Sequence, residues 1–356
     1  MKVKEFIIET FDIPTATEEQ WEEMIDLRQI IHHSINPDDP APSREVQRKN
    51  WEQYPDNPFM RANFYSIRSS KTDKLIGLYV YGHVKETNPD YDNQKHIAFA
   101  DIFLLEEYRR RGYGTEILRD LVQNLQALEH ITVVQCDTNI ADGEKFAEYF
   151  GGTIAIRART NRLYLNDIDW AMVEDWYAET SEIAASNNVT MEHFEGLIGD
   201  DDIEAYAKFY TEVMNQQPLE DLEGAESTYT PDLLRQNEER MAKTGTLHVT
   251  KIAREADGTI SGMTEFFYNP ANPHKIEQGL TGVQENYRGR KLGKWLKAVM
   301  LLHLRDTYPD LQFINTTNAN SNAPMLAIND KLGFKLYKQN TAYKFQLADL
   351  AEKVGL

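Results

Sequence analysis

Apolar positions along the chain follow two periods. Glu18 to His32 and Ile203 to Met214 repeat them at helical spacing, and each predicted helix is followed by a polar stretch with proline, Asn36-Pro-Asp-Asp-Pro-Ala-Pro and Gln216-Gln-Pro-Leu-Glu-Asp, which reads as a loop. Strand-like runs occur at His96 to Leu105, Ile131 to Asp137, Lys275 to Val283 and Phe313 to Thr317. Between the two halves, Trp170, Val173, Trp176 and Tyr177 recur at helical spacing and predict a connecting helix over 167–187, with a turn-rich boundary at Ser186 to Thr190. The spacing of Trp295, Val299 and Met300 assigns them to the core face of another helix.

The order of these elements repeats. A strand, a Tyr-Arg pair, a basic turn with glycine and an amphipathic helix occur around Tyr108 and again around Tyr287, an offset of 287 − 108 = 179. Each helix is followed by a second strand and a short helix that ends in glycine, Phe150-Gly151 and Leu332-Gly333, offset by 333 − 151 = 182. Two features in one order at nearly one offset predict duplicated α/β domains. The boundaries read from the sequence are 1–166, a connecting helix over 167–187, and 188–356.

Composition narrows the class. The chain has 356 residues, 41% of them hydrophobic, with Lys+Arg 38 against Asp+Glu 57 and a net charge of −19. That length and apolar content support two cored domains. The acidic balance argues against a general nucleic-acid binder, which needs clustered cations to release counterions. No run reaches the roughly 18 apolar residues of a membrane span, and the start has no signal-like apolar core, so the expected location is cytoplasmic, without membrane contact. Cys136 is the single cysteine, His32-His33 has no partner at ligand spacing, and Asp200-Asp-Asp-Ile-Glu204 reads as the start of a helix, so no metal is expected.

The two basic turns carry the chemistry. Unpaired N–H groups at a helix start favour anions, glycine lets a phosphate approach the backbone, and arginines add charge-assisted bonds. Arg109-Arg110-Arg111-Gly112-Tyr113-Gly114-Thr115 holds all of these, and Arg288-Gly289-Arg290-Lys291-Leu292-Gly293-Lys294 holds most. Neither has the third glycine of a dinucleotide fingerprint or the Gly-Lys-Ser/Thr of a P-loop.

On these residues the chain resembles the GNAT acetyltransferase superfamily, whose pyrophosphate signature is Gln/Arg-x-x-Gly-x-Gly/Ala after a strand. Arg109, Gly112 and Gly114 match it in full; Arg288 and Gly293 match it with Lys291 at the middle glycine. Asn318 to Phe334, ending in Leu-Gly-Phe, resembles the second CoA-contacting segment of the family, with Asn322 as a candidate contact or only a helix N-cap. The resemblance spans both halves and implies two tandem GNAT-like domains of mixed α/β class, each a twisted mixed sheet flanked by helices. It implies acetyl-CoA as cosubstrate, bound by the two turns and by Val283 on the strand before the second, and transfer of acetyl to the amine of a small molecule.

A protonated amine must lose a proton before it attacks, at a cost of roughly 4 to 5 kcal/mol near neutrality. In many relatives a carboxylate eleven residues before the first Arg/Gln of the signature is the base. The count reaches Glu277 in the second half and Ala98 in the first, which assigns catalysis to the second half, with Asp101 as the candidate if the first half works. An outward strand position is the competing reading of Glu277. The family's acid tyrosine has Asn329 and Ala147 at its places, leaving Tyr337, Tyr343 or solvent to protonate the thiolate. The acidic stretch Glu220, Asp221, Glu223 and Glu226, expected near the entrance, favours a cationic acceptor by steering. The alternative is a non-catalytic CoA-binding or regulatory tandem module. Unpaired sheet edges leave room for a homo-oligomer.

Overall fold

A computed structural model describes residues 5–356 of the chain. In chain order the first elements are β1 (Phe6–Thr10), α1 (Glu18–Ile35), α2 (Arg44–Glu52), β2 (Met60–Ser69), β3 (Leu75–Val84), α3 (Tyr91–Gln94), β4 (Ile97–Leu104), α4 (Tyr113–Gln126), β5 (Val133–Thr138), α5 (Ala141–Tyr149) and β6 (Thr153–Tyr164). The later ones are α6 (Trp170–Ser186), β7 (Thr190–Glu195), α7 (Ile203–Asn215), α8 (Pro231–Lys243), β8 (Leu247–Arg254), β9 (Ile260–Tyr268), β10 (Lys275–Val283), α9 (Leu292–Thr307), β11 (Phe313–Ala319), α10 (Ala323–Leu332), β12 (Lys335–Gln346) and α11 (Leu347–Val354).

Two compact units form, and neither is continuous in sequence. Unit 1 holds the described residues through Ile156 with Glu220–Ala225 and Asn340–Leu356; unit 2 holds Arg157–Leu219 and Glu226–Gln339. Cutting the sequence at 166–187 gives all of β6 to the first half and all of β12 to the second. In the structure β6 pairs with β11 from Ala158 to Tyr164, whereas β12 pairs with β5 from Thr341 to Gln346. The halves therefore exchange their last strands. Alternation along a strand says which face is buried but not which neighbour it joins, so the exchange leaves no mark in the hydrophobic pattern. The predicted connecting helix exists as α6 and belongs to unit 2, where Ser181 accepts a hydrogen bond from the Trp295 indole.

The strand order is β1-β2-β3-β4-β5-β12 in unit 1 and β6-β11-β10-β9-β8-β7 in unit 2. Within these, β4–β5 and β10–β11 are parallel, and the other registered pairs are antiparallel. Both sheets bury both faces. In unit 1, Ala98 and Ala100 face Ile117, Leu121 and Leu125 of α4, while Phe64, Leu78 and Phe103 face Trp21, Met24 and Trp51 of α1 and α2. In unit 2, Phe266 and Ile276 face α6 and α9, while Ile252, Met263 and Leu280 face Tyr206, Phe209 and Val213 of α7 and Leu234 of α8.

Candidate active site

In each unit the one parallel pair comes apart midway. β4 and β5 are in register from Ile97↔Val133 to Phe99↔Gln135 only, yet β4 continues along β3 to Leu104 and β5 continues along β12 to Thr138. β10 and β11 are in register from Lys275↔Phe313 to Gln278↔Thr316, after which each follows its outer neighbour. A wedge opens there, lined on both sides by backbone donors and acceptors. Such edges need partners, and a linear molecule that carries amides can supply them.

The wide end of each wedge leads to a basic turn at a helix start. Neither α4 nor α9 has a side-chain cap at its N-terminus, which leaves those N–H groups to an anion. The turns share one backbone path with their glycines exchanged. Arg110 and Gly112 have φ of +60° and +82°, and Gly289 and Lys291 have φ of +81° and +59°. The left-handed backbone favours glycine, so each turn gives glycine to one of its two positions and a basic residue to the other. Lys291 therefore does not break the second turn.

The basic side chains of both turns are already engaged. In unit 1 Arg109 Nε donates to Leu104 O at 2.9 Å, its Nη1 lies 3.7 Å from Asp142, Arg110 pairs with the same carboxylate, and Arg111 lies 5.6 Å from the Tyr108 ring centroid. In unit 2 Arg288 donates to Gln216 at 2.6 Å, Arg290 reaches both oxygens of Glu255 at 3.1 Å, Lys291 pairs with Glu179, and Lys294 reaches Glu179 at 2.6 Å. The two lysines pull the Glu179 carboxyl down to about 2. Asp142, mainly through Arg110, is also held below its usual range.

Glu277 lies at the last paired stretch of β10, on the face opposite α9, and is exposed. Its carboxylate accepts from Lys275 Nζ at 2.7 Å and from Asn315 Nδ2 at 3.2 Å, and Asn315 Oδ1 accepts from the buried Arg162 at 2.9 Å. Arg162 itself lies between the Phe313 and Tyr337 rings. Counting residues makes Ala98 its counterpart in unit 1, but the backbone corrects this by one. His96 O accepts from Thr132 and Val133, and His274 O accepts from Gln312 and Phe313, so the offset here is 274 − 96 = 178. Phe99 is therefore the counterpart of Glu277, and Ala98 is buried against α4. Unit 2 regains the extra residue in a bulge between Gln278 and Thr281, where a Cβ on Gly279 would come within 2.6 Å of Glu265 Oε1.

Asn322 is the N-cap of α10 and accepts from Met325 N at 3.4 Å. Asn329 is fully buried and donates to Asn318 at 3.0 Å, and Ala147 is buried in the unit 1 core. Tyr343 is buried in unit 1 and reaches Glu148 at 3.4 Å. Of the acidic stretch, Glu223 lies within unit 1, 3.5 Å from both His96 and Lys344, and its backbone exchanges hydrogen bonds with the Gln135 side chain. Those contacts place it against the sheet rather than in open solvent.

Of four further groups near the wedges, the sequence offered Asp101 as a candidate and gave no signal for the burial or contacts of the rest. In unit 1, Asp101 lies just past the last paired residue of β4, and burial together with Asp137 pushes its carboxyl up to about 7. Cys136, on the other face, is pushed up to about 12 by burial, which leaves it an inert thiol. In unit 2, Lys297 of α9 is buried and donates to Gln278 Oε1 at 2.8 Å; burial brings its amine down to about 7. On the α7 face of unit 2, the buried Glu265 accepts from Tyr210, His248 and the Leu280 N–H. Among the described residues, no group of three or more His, Cys, Asp or Glu side chains could hold a metal ion, and no helix is long and apolar enough to cross a membrane.

A parallel pair opened at mid-strand, leading to a glycine-bearing basic turn at a helix start, is a mixed α/β arrangement present twice. Residues 21–148 match the family model described as the acetyltransferase (GNAT) family, and the fold of the whole chain matches that of a tandem GNAT protein. No curated protein matches the sequence. Among solved structures, a tandem GNAT protein from the clavulanic acid biosynthesis pathway superposes with a TM-score of 0.73 at 17% identity, covering 96% of this chain and 99% of its own. A GCN5-related N-acetyltransferase from Sphaerobacter thermophilus gives 0.63 at 14% identity over 97% and 96%. Saccharomyces cerevisiae N-myristoyltransferase with bound myristoyl-CoA and inhibitors gives 0.57 at 11% identity over 97% and 80%. At these identities the likeness is one of fold.

Proposed function

We propose that the protein transfers an acyl group, acetyl in the first instance, from acyl-CoA to the primary amine of a small cationic acceptor, and that the transfer takes place in unit 2. The observation that carries this reading is the wedge between β10 and β11, which ends at a bulge and leads to a basic turn at the start of α9. The pyrophosphate would lie on the N–H groups of Leu292 and Gly293 with Arg288, Arg290, Lys291 and Lys294 around it, displacing their carboxylate partners. The thioester arm would pair with the free edges of the wedge. Glu277, one residue before the last paired position and in contact with Lys275, is the carboxylate that meets the acceptor's ammonium group.

Calorimetric titration of acetyl-CoA, repeated on Gly114→Pro and Gly293→Pro, tests the reading, since proline at the first helical turn removes one N–H from the phosphate site. Loss of binding in Gly293→Pro with folding retained is the expected result. No heat from the wild type at concentrations that reveal a site of about 100 µM sinks it. Glu277→Gln is expected to raise KM for the amine; a fall in kcat with a displaced pH profile would instead make Glu277 the base. A second reading, with unit 1 as the working site, rests on Asp101, whose raised pKa suits a general base. Loss of turnover in Gly114→Pro alone would favour it.

A further inference from the structure

We propose that His248, held by Glu265, takes the proton from the attacking amine in unit 2. The inference rests on the reading of unit 2 as the transferase site and adds the base that Glu277, exposed and already bound to a lysine, is poorly suited to be.

The residues form one row across the sheet. His248 on β8 faces Phe267 on β9, and Phe267 faces Glu277 on β10. Facing residues on adjacent strands share a face, and two strand spacings separate His248 from Glu277 by roughly 10 Å. Phe267 forms the floor between them and stacks on the His248 ring at 4.8 Å and 18°. A primary amine resting on that floor meets a carboxylate on one side and an imidazole on the other.

His248 is also oriented as a base needs to be. Its Nε2 lies 2.8 Å from Glu265 Oε2, with Thr250 Oγ1 3.1 Å from the same nitrogen. A neutral imidazole whose Nε2 donates to a carboxylate carries its lone pair on Nδ1. Glu265 is 3% exposed and His248 11%, so the pair sits in a drier medium than Glu277. The carboxylate is held by two further donors, Tyr210 Oη and Leu280 N, both at 2.9 Å. Leu280 belongs to the bulge where the wedge opens, so Glu265 ties the imidazole to the place where the thioester arm would end. Other titratable groups on this face include Glu277 with Lys275 at the far end of the row, and Tyr206 and Tyr210 of α7, both pushed far up by burial, with Tyr229 and Glu238 beside them. The tyrosines keep their protons throughout the working range.

The step balances without a further reactant. The acceptor's ammonium gives a proton to Nδ1, and the freed lone pair forms the C–N bond at the thioester carbonyl. The adduct then breaks its C–S bond, with the electron pair leaving on sulfur; one of the two remaining N–H protons goes to the thiolate, the other stays on the amide nitrogen, and the imidazolium returns its proton to solvent. Glu265 only positions the ring.

The test has two arms. In protein labelled with ¹⁵N-histidine, His248 is expected as the Nε2–H tautomer, with Glu265→Gln changing its titration; an Nδ1–H tautomer overturns the proposal. The second arm measures acetyl transfer from acetyl-CoA to spermidine and to tyramine, or to water where neither amine is used, from pH 5.5 to 9.5. His248→Gln is expected to lose about 10² to 10⁴ in kcat, together with the acidic limb of the profile, at unchanged acetyl-CoA affinity. Glu265→Gln displaces that limb. Turnover by His248→Gln equal to wild type overturns the proposal. Failure of the wild type to bind acetyl-CoA overturns the transferase reading instead. His248→Asn, which keeps a polar group beside Glu265, separates loss of the base from loss of the fold.

Discussion

Lys297 gives the sharpest test of the energetics around the wedge. Its amine is enclosed between α9 and β10, 2% of the residue is exposed, and it donates to the Gln278 side chain at 2.8 Å. Burial disfavours the ammonium form and brings the folded-state value down to about 7 from 10.5. At about 1.36 kcal/mol per unit, this is a penalty approaching 5 kcal/mol on the folded state. The direction follows from proton counts. Between pH 7 and 10.5 the unfolded chain binds the proton and the folded one does not, so stability falls as pH drops through that window and is flat below it. Lys297→Met keeps the volume and removes the charge, but leaves Gln278 Oε1 without this donor, a loss of about 1 to 3 kcal/mol. The variant is therefore expected to be more stable than wild type by about 2 to 4 kcal/mol at pH 7, an advantage that disappears or reverses near pH 10.5. Guanidinium melts of both proteins at pH 7, 8.5 and 10 measure the difference directly. A difference that does not change with pH would falsify the claim that burial of this amine is costly.

Asp101 is the mirror case, since its carboxyl is raised to about 7. Its stabilising share is whole below pH 4 and lost as pH rises through 7, so Asp101→Asn should gain up to about 4 kcal/mol at pH 8 and nothing at pH 4; urea melts at the two values decide. Asp142→Asn and Glu179→Gln release the basic side chains of the two turns, and each should tighten CoA binding in its own unit several-fold, with the gain shrinking as salt is raised. Calorimetry showing weaker binding in either variant would mean that the carboxylates shape the turns rather than compete for them. Lys291→Gly removes a left-handed strain of about 1 to 2 kcal/mol, so the protein should melt higher while its CoA affinity falls; a rise in both would deny the lysine any part in phosphate binding.

What could be read from the sequence was what repeats or has a period. The tandem layout, the basic turns and a helix near residues 167–187 depend on local patterns, and the structure has the two turns and the helix Trp170–Ser186. The turn geometry needed one step more. Sequence gives Lys291 where glycine is expected, and only the backbone shows the glycine two positions earlier, at Gly289, taking the other left-handed site. The exchange of β6 and β12 was illegible because pairing between distant segments leaves no period. The count to Ala98 failed for a similar reason, since a bulge of one residue at Gly279 and Leu280 flips the face of everything before it. The charges that decide the chemistry were harder still. Asp142, Glu179 and Glu255 neutralise the turns from α5, α6 and the hairpin after β8, and nothing in their own neighbourhoods distinguishes them from other acidic residues in a chain of net charge −19. Glu265 and His248 are 17 residues apart and meet only because β8 and β9 pair in this register. Whether a carboxylate is exposed like Glu277 or buried like Glu265 depends on its place along the sheet and on the helix above it, so the search for a base in this fold has to begin from strand register rather than from residue count.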